Sequence, residues 1–263
     1  MNNVTLQWQE DILTQAFSDN GMALTQRQAQ QLCEYGRFLQ EKNQETNLTA
    51  ITDTQGIIEK HFIDSGLVAE FLPQDATLCD IGCGAGFPSV VAKILRPDVK
   101  ITAVDSVGKK TNFVKELLAR IEVDGEVVNA RAEQLVATNR EFYDVVCARA
   151  VANLVTLLEY LAPLAKVGGI VLAQKGKDGM EELQQAEYCA KILGLQLSES
   201  KSFCLPNGDQ RIILVYKKVS ATPAKYPRPQ NAPRKNPLVA TADKVEKNTD
   251  NHAKKTKQNG RGK

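Results

Sequence analysis

The sequence predicts an α/β fold: N-terminal helices, then a doubly wound, mostly parallel seven-stranded sheet that ends in a C-terminal antiparallel hairpin. Three observations carry the prediction. From Thr77 onward, short apolar runs alternate with helical patterns at the spacing of right-handed βαβ crossovers. The last two runs, 195–203 and 211–216, are joined only by Cys204-Leu-Pro-Asn-Gly-Asp, so they form a hairpin whose last strand enters the sheet antiparallel to its partner. The region before Thr77 reads as helical instead.

In that first region Leu32, Tyr35, Phe38 and Leu39 recur at helical spacing in a Gln/Glu-rich background, which predicts an amphipathic helix through about Glu41. Residues 42–46 read as a polar connection. Ile57, Ile58, His61, Phe62, Ser65 and Val68 then predict a second amphipathic helix, closed by Pro73. The parallel strands fall at 78–81, 101–104, 127–129, 145–148 and 169–173, with helices near 88–96, 109–122, 152–165 and 180–193. After Lys218 come five prolines in fifteen residues and then a Lys/Asn/Thr-rich end, a composition that cannot offset its ordering entropy. The expected organisation is therefore a helical cap over 1–73, a sheet domain over 74–218 and a disordered basic tail over 219–263.

Composition narrows the function classes. The chain of 263 residues is 43% hydrophobic, enough for a large core. No apolar run approaches the roughly 18 residues of a membrane span. The polar N-terminus lacks an apolar signal region, so the expected location is cytoplasmic. Six cysteines are too few for a disulfide scaffold of this length and read as thiols. The net charge of +2 hides an asymmetry: residues 218–263 carry twelve Lys/Arg against three Asp/Glu, a net +9, which leaves −7 for residues 1–217. Such a tail suits a polyanionic partner through salt-dependent phosphate contacts, and its removal is expected to leave any cofactor site on the body intact.

The sharpest local signal is Leu78-Cys-Asp-Ile-Gly82-Cys-Gly84-Ala-Gly86-Phe87-Pro88. A strand runs into three glycines at alternate positions, and Pro88 sits where a helix begins. Glycine lets the backbone take positive φ and lets a ligand approach without a Cβ in the way. A dinucleotide fingerprint would need glycine where Phe87 stands, and the Lys-Ser/Thr of a phosphate-binding loop is absent. The next strand ends at Asp105, 23 residues past Gly82, where a carboxylate can accept both hydroxyls of an adenosine ribose. Without a phosphate cradle, the pattern suits S-adenosylmethionine better than a nicotinamide dinucleotide.

Together with Asn47-Leu-Thr-Ala-Ile-Thr, His61-Phe-Ile-Asp-Ser, Val104-Asp-Ser-Val-Gly-Lys-Lys, Arg131-Ala-Glu, Ala148-Arg-Ala-Val-Ala and Lys225-Tyr-Pro-Arg, this loop resembles the ribosomal RNA small subunit methyltransferase G family, the bacterial glucose-inhibited division protein B. The resemblance runs from about Leu24 to Leu238. It implies a Rossmann-like S-adenosylmethionine-dependent methyltransferase fold and methylation of N7 of one guanine in 16S rRNA, on naked RNA or on the small ribosomal subunit. It also implies that Gly82, Gly84 and Phe87 line the methionine and ribose side of the cofactor, that Asp105 holds the ribose, that Ala132 and Glu133 flank the adenine, and that Arg149 faces the junction of cofactor and base. Asn47, His61, Lys109 and Lys175 fall on family-pattern positions near the cleft, as candidates for substrate contact.

Guanine N7 carries a lone pair and no proton, so no general base is required and no catalytic residue is assigned. Cytosine C5 chemistry would need a nucleophilic thiolate, but Cys147 follows Val146 rather than proline and reads as a buried strand cysteine. Cys79 and Cys83 bracket the glycine loop without a clustered histidine, so no metal is expected. A small-molecule methyltransferase and a non-catalytic RNA-binding factor remain alternatives on the same fold. The default oligomeric state is a monomer.

Overall fold

The computed structural model describes residues 8–149, 152–229 and 231–240. The basic stretch 241–263 and the N-terminal residues 1–7 lie outside the described residues, as do Ala150 and Val151 of the Ala148-Arg-Ala-Val-Ala motif.

Helices α1 (Glu10–Asp19) and α2 (Gln26–Thr46) open the chain. Thr25 starts α2 through a reciprocal cap in which its hydroxyl accepts from Gln28 N and its own N–H donates to Gln28 Oε1. The helix does not stop near Glu41. Lys42, Gln44 and Glu45 are good helix formers that need no buried face, so they carry it on to Thr46, and Lys42 pairs with Glu116 at 3.2 Å. The second expected helix is a continuous helical passage of changing pitch: α3 (Thr54–Ile57), a π-helical turn (Ile58–Ile63), α4 (Asp64–Gly66) and a 3-10 turn (Leu67–Phe71). The wide turn falls on His61.

Seven strands follow: β1 (Thr77–Ile81), β2 (Lys100–Asp105), β3 (Glu126–Asn129), β4 (Tyr143–Arg149), β5 (Ala165–Lys175), β6 (Leu195–Cys204) and β7 (Gln210–Lys218). Their order in the sheet is β3-β2-β1-β4-β5-β7-β6, parallel throughout except that β7 runs antiparallel to both β5 and β6. The intervening helices are α5 (Ser89–Leu95), α6 (Gly108–Arg120), α7 (Ala132–Asn139), α8 (Leu154–Leu161) and α9 (Gly179–Ile192). Helix α7 has no counterpart in the sequence prediction, because its eight residues bury only Ala132, Leu135 and Val136 and show little periodicity.

Alternation along the strands divides the core. Leu78, Val145 and Cys147 pack on one face with α2, α5, α6 and the broken helix, while Cys79, Val146 and Ala148 pack on the other with α7, α8 and α9. The order reverses between β1 and β4, so their carboxyl ends border a crevice, the place where open α/β sheets bind ligands.

Beyond β7 the structure departs from the expected disordered tail. Residues 219–229 and 231–240 form a strap against α8 and α9 that includes the short helix α10 (Ala232–Lys235). The proline-rich composition concealed its anchors. Tyr226 and Leu238 are buried in the second core, and the Arg140 guanidinium donates to the carbonyls of Thr222 (2.7 Å) and Tyr226 (3.0 Å). Arg228 donates to both oxygens of the fully buried Glu159 at 2.8 and 2.6 Å. Prolines suit such a segment, since they fix φ and need no N–H partner.

If the strap is integral to the fold, Tyr226→Ala lowers unfolding free energy by about 3 kcal/mol in urea denaturation, as expected for emptying a core aromatic site. A change within error would mean the strap contributes nothing to global stability.

Candidate cofactor and substrate cavities

The glycine loop leaves β1 with Gly82, Gly84 and Gly86 all at positive φ (77°, 58° and 97°). Asp105, at the end of β2, accepts the Gly84 N–H on one oxygen (3.0 Å) and the Val107 N–H on the other (2.9 Å). The loop and the next strand end are thus locked together, and each oxygen keeps a further lone pair. A Cβ at Gly84 would meet nothing within 4 Å, so the loop presents bare backbone to open space. Asp80, fully buried beneath the loop, holds the N-terminus of α5 by accepting the Ser89 N–H, and burial pushes its carboxyl up to about 7.

Two cavities flank this loop. The first, of about 640 Å³, is bordered by Gly84, Phe87, His61 and Lys175, with Lys60, Asp64 and Arg211 on its far side. The second, of about 420 Å³, is bordered by Asp105, Ala132, Glu133 and Tyr160, with Asn231 and Arg234 from the strap. Gly82, Lys110 and Arg149 border both. Of the residues singled out in the sequence, nine therefore meet at these cavities. Two do not: Lys109 is exposed and the cavity lining passes to Lys110, while Asn47 is exposed at the end of α2 and its neighbours Leu48 and Thr49 do the lining.

Arg149 is fixed from several sides. Its guanidinium donates to the Lys60 carbonyl (2.9 Å), to Asp64 Oδ2 (3.1 Å) and to His61 Nδ1 (3.2 Å), and it lies 5.1 Å over the Phe87 ring. A guanidinium can only donate, so His61 Nδ1 accepts, and the ring proton sits on Nε2, which donates to Thr49 Oγ1 at 2.8 Å. Burial, and secondarily the Arg149 charge, lower the His61 pKa to about 3. Phe87 stacks with His61 (4.5 Å between centroids) and with Tyr35 (5.2 Å).

Sequence reasoning stopped one turn short of the group that organises this end of the sheet. Asp64 is 2% exposed and accepts from Arg149, from Arg211 Nε (3.1 Å) and from the Gln174 amide (2.6 Å), so residues of β4, β7 and β5 converge on one carboxylate of α4. It lies inside the His61-Phe-Ile-Asp-Ser motif, which was the available signal; Arg211 carried none. Lys175 lines the first cavity but is itself held by Glu182 and the Ala152 carbonyl, each at 2.8 Å.

The residues present fit S-adenosylmethionine. The loop offers backbone without side chains, and Asp105 and Glu133 offer acceptors for hydroxyls and an amine. Burial keeps the Cys147 thiol well above its usual pKa, which agrees with a structural cysteine. Among the described residues no group of three His, Cys, Asp or Glu could hold a metal ion, and no helix is long and apolar enough to cross a membrane.

The model of the rRNA small subunit methyltransferase G family matches residues 28–213. The ribosomal RNA small subunit methyltransferase G of Leuconostoc mesenteroides is 42% identical over 87% of this chain and 98% of its own length. The protein of the same name from Staphylococcus carnosus is 40% identical over 86% and 98%. Among solved structures, M. jannaschii TYW2 in complex with AdoMet superposes with a TM-score of 0.50 at 13% identity, covering 64% of this chain and 79% of that one, a likeness of fold.

By NMR, His61 stays neutral with the proton on Nε2 from pH 8 down to pH 5; titration near its usual value of 6.5 would refute the buried arrangement. Because the unfolded chain takes up that proton first, this residue makes stability fall as pH drops from 6.5 toward 3. Asp64→Asn removes the anion that Arg149 and Arg211 share, leaving Arg211 with Asp209 at 3.6 Å, and lowers unfolding free energy by about 3 kcal/mol, read by chemical denaturation; an unchanged value would show that Asp64 is not their anchor.

Proposed function

The chain belongs to the rRNA small subunit methyltransferase G family, and from that premise we propose that its joined cavities transfer a methyl group from S-adenosylmethionine to N7 of a specific guanine in 16S rRNA. The observation that carries the assignment of roles is the junction itself. Gly82, Lys110 and Arg149 border both spaces, one with a ribose-matching acid and one rimmed by Lys60, Lys175 and Arg211. The adenosyl group belongs in the second cavity, the target base in the first, and the transferred carbon between them.

When bound, S-adenosylmethionine supplies the methyl group as the electrophilic carbon of a sulfonium. The protein has no proton to remove, because guanine N7 is already a free lone pair. A neutral His61 accords with this: it positions Arg149 and stacks on Phe87 rather than acting as a base. Arg149 uses three of its donor contacts on Lys60, Asp64 and His61, and its remaining N–H groups can hold the guanine O6 edge or the cofactor carboxylate. The base becomes cationic as it is methylated, and Asp64 offsets the guanidinium charge nearby. Lining up N7, carbon and sulfur is the main contribution, and such positioning is worth roughly 7–11 kcal/mol in favourable cases.

The same reading takes the chain to be a cytoplasmic monomer whose rim cations, with the seven Lys/Arg of 241–263, draw it to RNA phosphates. Mass or primer-extension mapping of 16S rRNA decides the assignment. Cells lacking the protein lose one guanine N7 methyl mark, the intact gene restores it, and Asp105→Ala does not. A mark that persists in the deletion overturns the function.

A further inference from the structure

One wall of the second cavity comes from beyond the last strand. Asn231 and Arg234 border that cavity with Asp105 and Glu133, and neither borders the first. Their placement is built into the fold. Arg228, a few residues before, is clamped on the buried Glu159. Thr156 Oγ1 donates to the Pro233 carbonyl at 3.0 Å in a buried contact. Arg131, which caps α7 and also borders the cavity, donates to Asn231 Oδ1 at 3.4 Å. Asn231 itself sits at φ 60°, a conformation that asparagine tolerates better than most residues.

We propose that the C-terminal strap is part of the cofactor site, with Asn231 and Arg234 contacting the adenosine moiety. This rests on the reading that the second cavity receives the adenosyl group. Chemical complementarity supports it. Asp105 and Glu133 are acceptors, suited to the ribose hydroxyls and the exocyclic amine, whereas the adenine ring nitrogens need donors. With its Oδ1 engaged by Arg131, Asn231 has an amide NH₂ that can donate. A guanidinium can donate to a ring nitrogen or stack on the ring face. Position supports it too: a cation close to the sulfonium would oppose binding, but the strap residues stand off the junction, on the side of the uncharged adenine. The expectation that removing the tail spares cofactor binding is thereby reversed for residues 219–240.

The test is calorimetric, on the full chain, with S-adenosylmethionine, S-adenosylhomocysteine and 5′-methylthioadenosine as ligands. Arg234→Ala weakens all three by about tenfold, the loss of one hydrogen-bonding contact to a charged donor. Asn231→Gly, which keeps the backbone conformation accessible, weakens all three by less. Arg228→Gln, which unfastens the strap without touching the cavity, also weakens all three. Asp105→Ala is the control for the cavity. If Asp105→Ala loses binding while Arg234→Ala and Asn231→Gly bind like the unaltered chain, the strap proposal fails and the cavity assignment stands. If Asp105→Ala also binds normally, the cavity assignment itself fails. A loss confined to the two ligands that carry the amino-acid portion would place the contact at the methionine end and likewise overturn the proposal.

Discussion

A carboxylate cannot be removed from water without several donors, and Asp64 is satisfied only because four segments distant in sequence come together around it. Arg149 arrives from β4, Gln174 from β5 and Arg211 from β7, while the carboxylate belongs to the helical cap. Hydrophobic contact alone would hold the cap on the sheet but would not fix its register. The charged hydrogen bonds do, because a shift of the cap separates the buried Asp64 carboxylate from both Arg149 and Arg211. The orientation of Arg149, the tautomer of His61 and the stack on Phe87 all follow from that register.

The opposite end of the site depends on a similar device. Lys218 is 1% exposed, and its ammonium donates to Glu141 (2.9 Å) and to the carbonyls of Ala162 (3.0 Å) and Ala165 (3.2 Å). Glu141 also accepts the Thr222 N–H, so the chain is turned as it leaves β7. The strap then crosses α8 and reaches the carboxyl ends of β1 and β2. A sheet whose order reverses at β1 and β4 opens a crevice there, and the cap covers one side of it while the strap covers the other.

Legibility in the sequence tracked the length scale of each signal. The sheet and hairpin were readable because apolar runs and turn residues are local, and so was the glycine loop with Asp105. Helix α7 was not, since three buried residues in eight give no clear period. The end of α2 was misplaced because polar helix formers look like a connection. The strap was misread for a different reason. Its prolines and basic residues resemble an unfolded tail by composition, and its anchors, Glu159, Arg140 and Thr156, lie roughly 70 to 85 residues earlier in the chain. Asp64 stood within a recognised motif, yet nothing local distinguishes a buried carboxylate from a solvated one when its partners are 85 to 147 positions away.

The pairing of these charged groups suits the chemistry. An enzyme that must move a proton needs a group with a pKa near the working pH and an open path to the substrate. Guanine N7 asks for neither, and the site holds no poised imidazole: His61 is kept neutral and spends both ring nitrogens on Thr49 and Arg149. On the proposed reading, Arg149 in turn loses little freedom on meeting the base, because Lys60, Asp64 and Phe87 have already fixed it. A guanidinium held in this way can orient the base at low entropic cost, with its charge moderated by Asp64 as positive charge develops beside it. The pairing of Arg149 and His61 with their neighbours therefore suits a base-free methyl transfer, and the cap that supplies those neighbours is a working part of the site.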